Sequence, residues 1–244
     1  MKRAIKNTVL TILFLTLGIS TAFLIYLHFF ASGDKDLSGE WNANLDMTEQ
    51  AAVKALIWLQ DIEAVSVSME DMESYMQGLT IRVNLTFEQT GRFAGTFRSH
   101  VSPESYDACK QAAYEGFAEA FKDLLIERLD MAGYTGSTDE EAIEALVTET
   151  FGMSTVSYLM SCGPELLPSL EELQDQYDGS GAYEAAEGIL TRTFDEGGPV
   201  SVKAECYIRK DDTLVLSEET GAVSDRSCFD HYPMVYTLQQ PQKQ

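Results

Sequence analysis

Residues 79–97, LTIRVNLTFEQTGRFAGTF, decide the fold class. Leu79, Ile81, Val83, Leu85 and Phe87 alternate with Thr80, Arg82, Asn84 and Thr86, which gives the extended chain one apolar and one polar side, as a half-buried strand requires. Glu88-Gln89-Thr90-Gly91 breaks the pattern. Phe93, Gly95 and Phe97 then resume it, so the two runs read as a β-hairpin.

Working outward, Gly39 to Met47 also alternates, with Trp41, Ala43, Leu45 and Met47 on one side. Asp46-Met47-Thr48-Glu49 has the form of a capping box, and a helix is expected from about Met47, with Ala52, Leu56, Leu59 and Ile62 at helical spacing. Glu70 to Met76 adds a further turn or two. Downstream, Ser102 caps a helix with Pro103 at its first position. Tyr106, Cys109, Ala113, Phe117, Ala120 and Leu124 form its stripe, and Gly133 stops it after about 30 residues. Ser137-Thr138-Asp139-Glu140 caps a second helix ending near Gly152. Ser154 to Cys162 is a third and Leu166 to Tyr177 a fourth. Strands return after Asp178-Gly179-Ser180-Gly181: Tyr183 to Phe194, Val200 to Ile208, Thr213 to Ser217 and Met234 to Leu238. Strands, a helical insertion over about 102–177, then strands argue an α+β fold with six or seven clear strands, not a doubly wound sheet.

The amino terminus carries a separate signal. Thr8 to Phe30 is 23 residues without a formal charge. At about 1.5 Å per residue it reaches roughly 34 Å, enough to cross a hydrocarbon core of about 30 Å. Lys2, Arg3 and Lys6 precede it, so residues 1–7 are expected to stay in the cytoplasm and the domain beyond the 31–38 linker to lie outside. The alternative is a secreted chain cleaved near Gly33. Residues 39–238 would form the domain and 239–244 a disordered tail.

The chain has 39 acidic and 17 basic residues, a formal charge of −22. Such a surface repels nucleic acid and anionic membranes, because Lys and Arg would be needed to replace released counterions. Four cysteines lie beyond the apolar run. Cys109 and Cys162 both fall in helical sequence, Cys206 and Cys228 in strand or loop sequence, so 109–162 with 206–228 is the expected pairing and four free thiols the alternative.

Catalytic motifs are sparse. His100 and His231 have no second histidine at metal-ligand spacing, and the cysteines form no CxxC pair. No phosphate loop or GxSxG elbow occurs. Ser227, Asp230 and His231 contain triad residue types, but adjacent Asp and His side chains point poorly for a relay. Asp175, Asp178 and Ser180 could donate oxygens to calcium; without EF-hand spacing they read as a polar turn. No catalytic, metal or cofactor site is expected.

Short motifs resemble the membrane-anchored lipocalin-like (calycin-type β-barrel) extracytoplasmic proteins of Gram-positive gut bacteria. These motifs are Gly39-Glu40-Trp41, Leu45-Asp46-Met47-Thr48, Leu85-Thr86-Phe87 to Gly91-Arg92-Phe93, Tyr183 with Gly188-Ile189-Leu190, and Asp212-Thr213-Leu214-Val215-Leu216. The resemblance implies an antiparallel β-barrel or half-barrel interrupted by the helical insertion. It also implies ligand binding in a barrel mouth, for which Trp41, Phe87, Phe93 and Phe97 are the apolar lining residues. The partner would be an apolar small molecule or an envelope component. The competing functions are an exported hydrolase using a carboxylate pair and a structural or protein-interaction domain, which requires a filled barrel.

Overall fold

A computed structural model describes residues 36–62, 67–195, 201–218 and 232–239. Among the described residues, eight strands close an antiparallel barrel in sequential order: β1 (Gly39–Asp46), β2 (Thr80–Gln89), β3 (Ala94–Val101), β4 (Gly179–Ala186), β5 (Ile189–Phe194), β6 (Ser201–Lys210), β7 (Thr213–Glu218) and β8 (Met234–Leu238). Closure is made by β8 on β1, with Trp41 opposite Leu238 and Ala43 opposite Tyr236. A closed sheet leaves no edge to template aggregation.

The expected strand from Tyr183 to Phe194 is two strands. Ala186 pairs with Ile189 across a two-residue turn in which Glu187 (φ 54) and Gly188 (φ 83) both occupy the left-handed region. Such a turn matches the twist of the strands it joins. The count of eight therefore replaces the expected six or seven. Asp211, also left-handed (φ 52), turns β6 into β7.

Two connections carry the helices. Between β1 and β2 lie α1 (Thr48–Ile62) and α2 (Met69–Tyr75); between β3 and β4 lie α3 (Pro103–Met131), α4 (Glu140–Phe151), α5 (Thr155–Cys162) and α6 (Leu170–Tyr177). The caps follow the sequence: Ser102, Asp139, Ser154 and Ser169 each accept from a backbone N–H in the first turn that follows. Gly152 ends α4 in the left-handed conformation. The last helix begins at Leu170, not Leu166, because Pro168 disfavours helical backbone before it and Ser169 with Glu172 builds a capping box.

By contact density the described residues divide into a barrel unit (36–43, 85–99, 179–195, 201–218 and 232–239) and a helical unit (44–62, 67–84 and 100–178). The helical unit has its own core. Phe117, fully buried, meets the Trp58 ring edge-on at 5.6 Å, with Met72, Met76, Ala113, Ile143, Val147 and Leu159 buried as well. Gly116 lets α2 approach α3: a Cβ there would lie 2.2 Å from the Tyr75 carbonyl oxygen. Tyr106 and Tyr114 donate to the carbonyls of Pro168 and Pro164, fixing the run before α6. At the insertion's two ends, the Val101 N–H donates to Asp178 Oδ1 at 2.6 Å. That carboxylate, considered above as a calcium ligand, thus serves a strand terminus.

Residues 8–30, the expected membrane span, lie outside the described residues, as do Gly33, Ser227, Cys228, Asp230 and His231. No helix of the described residues is long and apolar enough to cross a membrane.

Candidate functional site

The barrel interior holds the densest set of chemically capable side chains. Arg192 on β5 and Lys203 on β6 are cross-strand partners, and Glu205 lies two residues further along β6. All three are at most 2% exposed. Arg192 donates through Nε at 2.8 Å and a terminal nitrogen at 2.5 Å to Glu205 Oε2, Tyr232 donates its hydroxyl to Oε1 at 2.5 Å, and Lys203 Nζ lies 3.5 Å from Oε1. The Arg192 guanidinium also sits 5.3 Å from the Phe97 ring centroid and 5.7 Å from that of Phe194.

The electrostatics of this cluster are mutually quenching. Burial pushes the Glu205 carboxyl up, but Arg192, Lys203 and the Tyr232 hydroxyl outweigh it and hold the group below its ordinary value. Burial and then the Glu205 charge push the Tyr232 phenol well up. An ionised carboxylate with both oxygens occupied is a poor general acid, and a phenol so raised is a poor base near neutrality. Among the described residues Glu205 is the sole fully buried carboxylate. The cluster links β5, β6 and the segment that leads into β8.

Trp41, Phe87 and Phe97 point into the same interior and are 0%, 1% and 3% exposed. The Trp41 indole donates to the Leu37 carbonyl at 2.8 Å and packs under the Arg209 guanidinium at 5.4 Å. Phe87 meets Tyr183 edge-on at 4.8 Å, and Phe97 meets Phe194 at 5.1 Å. Tyr207 and Tyr236 are buried with them. Phe93 departs from the expected set: it is half-buried in the β2–β3 turn with Arg92 stacked over its ring at 5.1 Å. It sits there because β3 begins one residue later.

The expected 109–162 disulfide is not formed. Cys109 is a buried free thiol on α3, raised to about 11 by burial and then by the Asp46 charge, and Cys162 is an exposed free thiol at the end of α5. Sharing helical sequence says nothing about which helix faces meet. Cys206 is half-buried, and its expected partner lies outside the described residues.

Two surface hollows are acidic. One, of about 460 Å³, is lined by Glu40, Glu88 and Asp195, all exposed, beside Arg98 and Thr96, with buried Phe97 and Gly181 also in its lining. The other, of about 290 Å³, lies between α2 and α3, where Tyr75 donates to Asp123 Oδ2 at 2.5 Å. Among the described residues no group of three or more His, Cys, Asp or Glu side chains is placed to hold a metal ion.

A different surface lies on the helical unit. Trp58 and Phe121 are 6.3 Å apart, Phe121 and Tyr158 6.3 Å, and Tyr158 and Phe151 4.2 Å with stacked planes, so four rings form one run from half-buried α1 to the exposed end of α4. Phe151, Met153 and Met160 are 43%, 38% and 42% exposed.

No family model, curated protein or solved structure matches the chain.

Proposed function

We propose that the chain is a membrane-tethered, extracytoplasmic interaction module of lipocalin-like architecture, without catalysis, in which the barrel is a solid scaffold and the binding partner is a macromolecule of the envelope. The observation that carries this reading is the closed interior: Trp41, Phe87, Phe97, Arg192 and Glu205 are each at most 3% exposed, with Arg192 held between Glu205 and the Phe97 ring. A ligand pocket needs several hundred Å³ of concave apolar space. The sequential eight-stranded order is the one that lipocalins also use, and it supports the architecture implied by the short motifs. The tether rests on the uncharged run from Thr8 to Phe30 and its basic flank.

A hydrolase would need two carboxylates at about 5–9.5 Å, flanking the substrate, one of them kept protonated. Glu205 is held ionised and its oxygens are engaged, which favours the non-catalytic reading.

Two measurements test the proposal. Protease added to spheroplasts should digest the domain while the amino-terminal fragment stays with the membrane; full protection, or release of an intact domain beginning near Asp34, contradicts the tether. Full-length protein in phosphatidylcholine nanodiscs, titrated with the fluorescent fatty acid parinarate, should give no energy transfer from Trp41 above that of empty discs. A saturable one-to-one signal would contradict the solid scaffold.

A further inference from the structure

From the ring run on the helical unit, and resting on the interaction-module reading above, we infer that Trp58, Phe121, Tyr158 and Phe151, with exposed Met153 two residues beyond Phe151, form the docking surface for a cationic amphipathic helix of another protein. Three observations carry this: the continuity of the surface, its fixed shape, and the net charge of the insertion that bears most of it.

Continuity comes from the ring contacts, which link α1, α3, α4 and α5 without a charged side chain among the four rings. The α5 sequence, TVSYLMSC, carries no formal charge at all. Exposed Phe151 and Met153 lie just before its first turn. Thioether side chains adapt to varied apolar partners, which suits a surface that receives a helix.

The shape is set by a clamp between α4 and α5. Glu144 accepts the Thr155 N–H at 3.0 Å and the Thr155 hydroxyl at 2.7 Å, and Thr155 is 0% exposed. With Gly152 turning the chain, this grip lays Tyr158 under Phe151. The rings are therefore held in place before any partner arrives, and little ordering entropy is lost on binding.

The charge selects the partner. Residues 102–178 contain 17 acidic and 3 basic side chains, a formal charge of −14. One of the three, Lys122, is buried and already shared by Glu119 at 2.6 Å and Glu140 at 3.3 Å. A second copy of this chain would bring −14 against −14, and an anionic bilayer would be repelled in the same way. An apolar face ringed by Lys or Arg satisfies both the rings and the field around them.

The probe is an amphipathic Leu/Lys peptide of roughly 18 residues, long enough to form a helix on binding, with a scrambled isomer of the same composition and a Leu/Glu analogue. It is titrated onto full-length protein in phosphatidylcholine nanodiscs, with empty discs subtracted and half-buried Trp58 as reporter. The expected result is one peptide per chain, with the scrambled isomer about tenfold weaker and the Leu/Glu analogue not binding. Phe151→Ser and Met153→Ser, both at exposed positions, should each weaken binding by about tenfold with native far-UV circular dichroism, whereas Ile208→Ser on the barrel should leave binding unchanged. Equal binding of the scrambled isomer, no binding of the Leu/Lys peptide, variants that bind like the parent, or a dimer in sedimentation that Phe151→Ser abolishes would each overturn the assignment. Those outcomes leave the solid-barrel reading standing. The parinarate titration, which contains no peptide, can fail independently of this one.

Discussion

Phe151 lies flat on Tyr158, with ring centroids 4.2 Å apart and planes inclined by 25°. The stack joins the end of α4 to the middle of α5, and it depends on a polar contact one turn away. Glu144 takes both the backbone N–H and the hydroxyl of Thr155.

Removing that carboxylate leaves two buried donors without their acceptor. Glu144→Ala should therefore cost about 1–3 kcal/mol, read from urea unfolding. Near-UV circular dichroism should lose the signal of the stacked pair before the barrel's aromatic signal changes. An unchanged spectrum and midpoint would show that the elbow is held by packing alone.

In the barrel, the same logic applies to charge. Glu205→Ala leaves Arg192 and Lys203 buried without their shared carboxylate and should destabilise the protein by about 3–5 kcal/mol. Arg192→Met paired with Glu205→Leu removes one cation with the shared carboxylate and leaves Lys203 against the Tyr232 ring, so it should cost less than the sum of the two single substitutions. A double-mutant cycle in urea measures the difference. Additive costs would mean that the two groups do not act as a unit.

Acid should weaken the fold through the same residue. Glu205 is held below its ordinary value of 4.5, so the stability it contributes is present above 4.5 and lost as pH falls through its lower folded value. Asp139 and Glu172, lowered chiefly by hydrogen bonds from Ser137 and from the Ser169 backbone, act in the same direction. At the alkaline end, Tyr75 is raised from 10.0 to about 12 by its hydrogen bond to Asp123 and then by burial. Its contribution is present below 10 and lost as pH rises towards 12. Melting temperature against pH should form a plateau that falls on both sides, the acid limb being shallower in Glu205→Gln. Identical acid limbs would contradict the assignment.

The thiols should separate by exposure. Cys162 is exposed and should alkylate in the native protein, whereas Cys109, buried and raised to about 11 from 9.0, should alkylate only on unfolding. Peptide mapping after iodoacetamide treatment checks this. Recovery of a 109–162 linked peptide without added oxidant would contradict the structure.

The reading of the sequence succeeded where one face of an element is apolar and failed where that pattern inverts. Strands β1, β2 and β8 and helices α3 to α5 carry conventional faces, and their bounds were close to those expected. On β6 the inward residues are Lys203, Glu205 and Tyr207, while Val202, Cys206 and Ile208 face outward, Ile208 at 66% exposure. A period of two locates such a strand but cannot say which side is core. Ile208 opposes Val215, which opposes Val235, so an apolar row runs across the outer face while charges lie within. The interior cluster of Arg192, Lys203, Glu205 and Tyr232 was missed for this reason. Its one signal was charge at positions in step with Leu190, Phe194 and Tyr207. The β4–β5 turn escaped because Glu187 is an unusual residue for left-handed backbone, leaving Gly188 as the lone marker.

A full barrel has no room for a lipid. Native mass spectrometry of the intact chain, released from a bacterial membrane with mild detergent and offered a mixture of long-chain fatty acids, tests this most directly. The expected result is the mass of the chain alone, before and after the lipids are added. A stoichiometric small-molecule adduct that survives gentle activation would contradict it and restore the barrel mouth as the binding site.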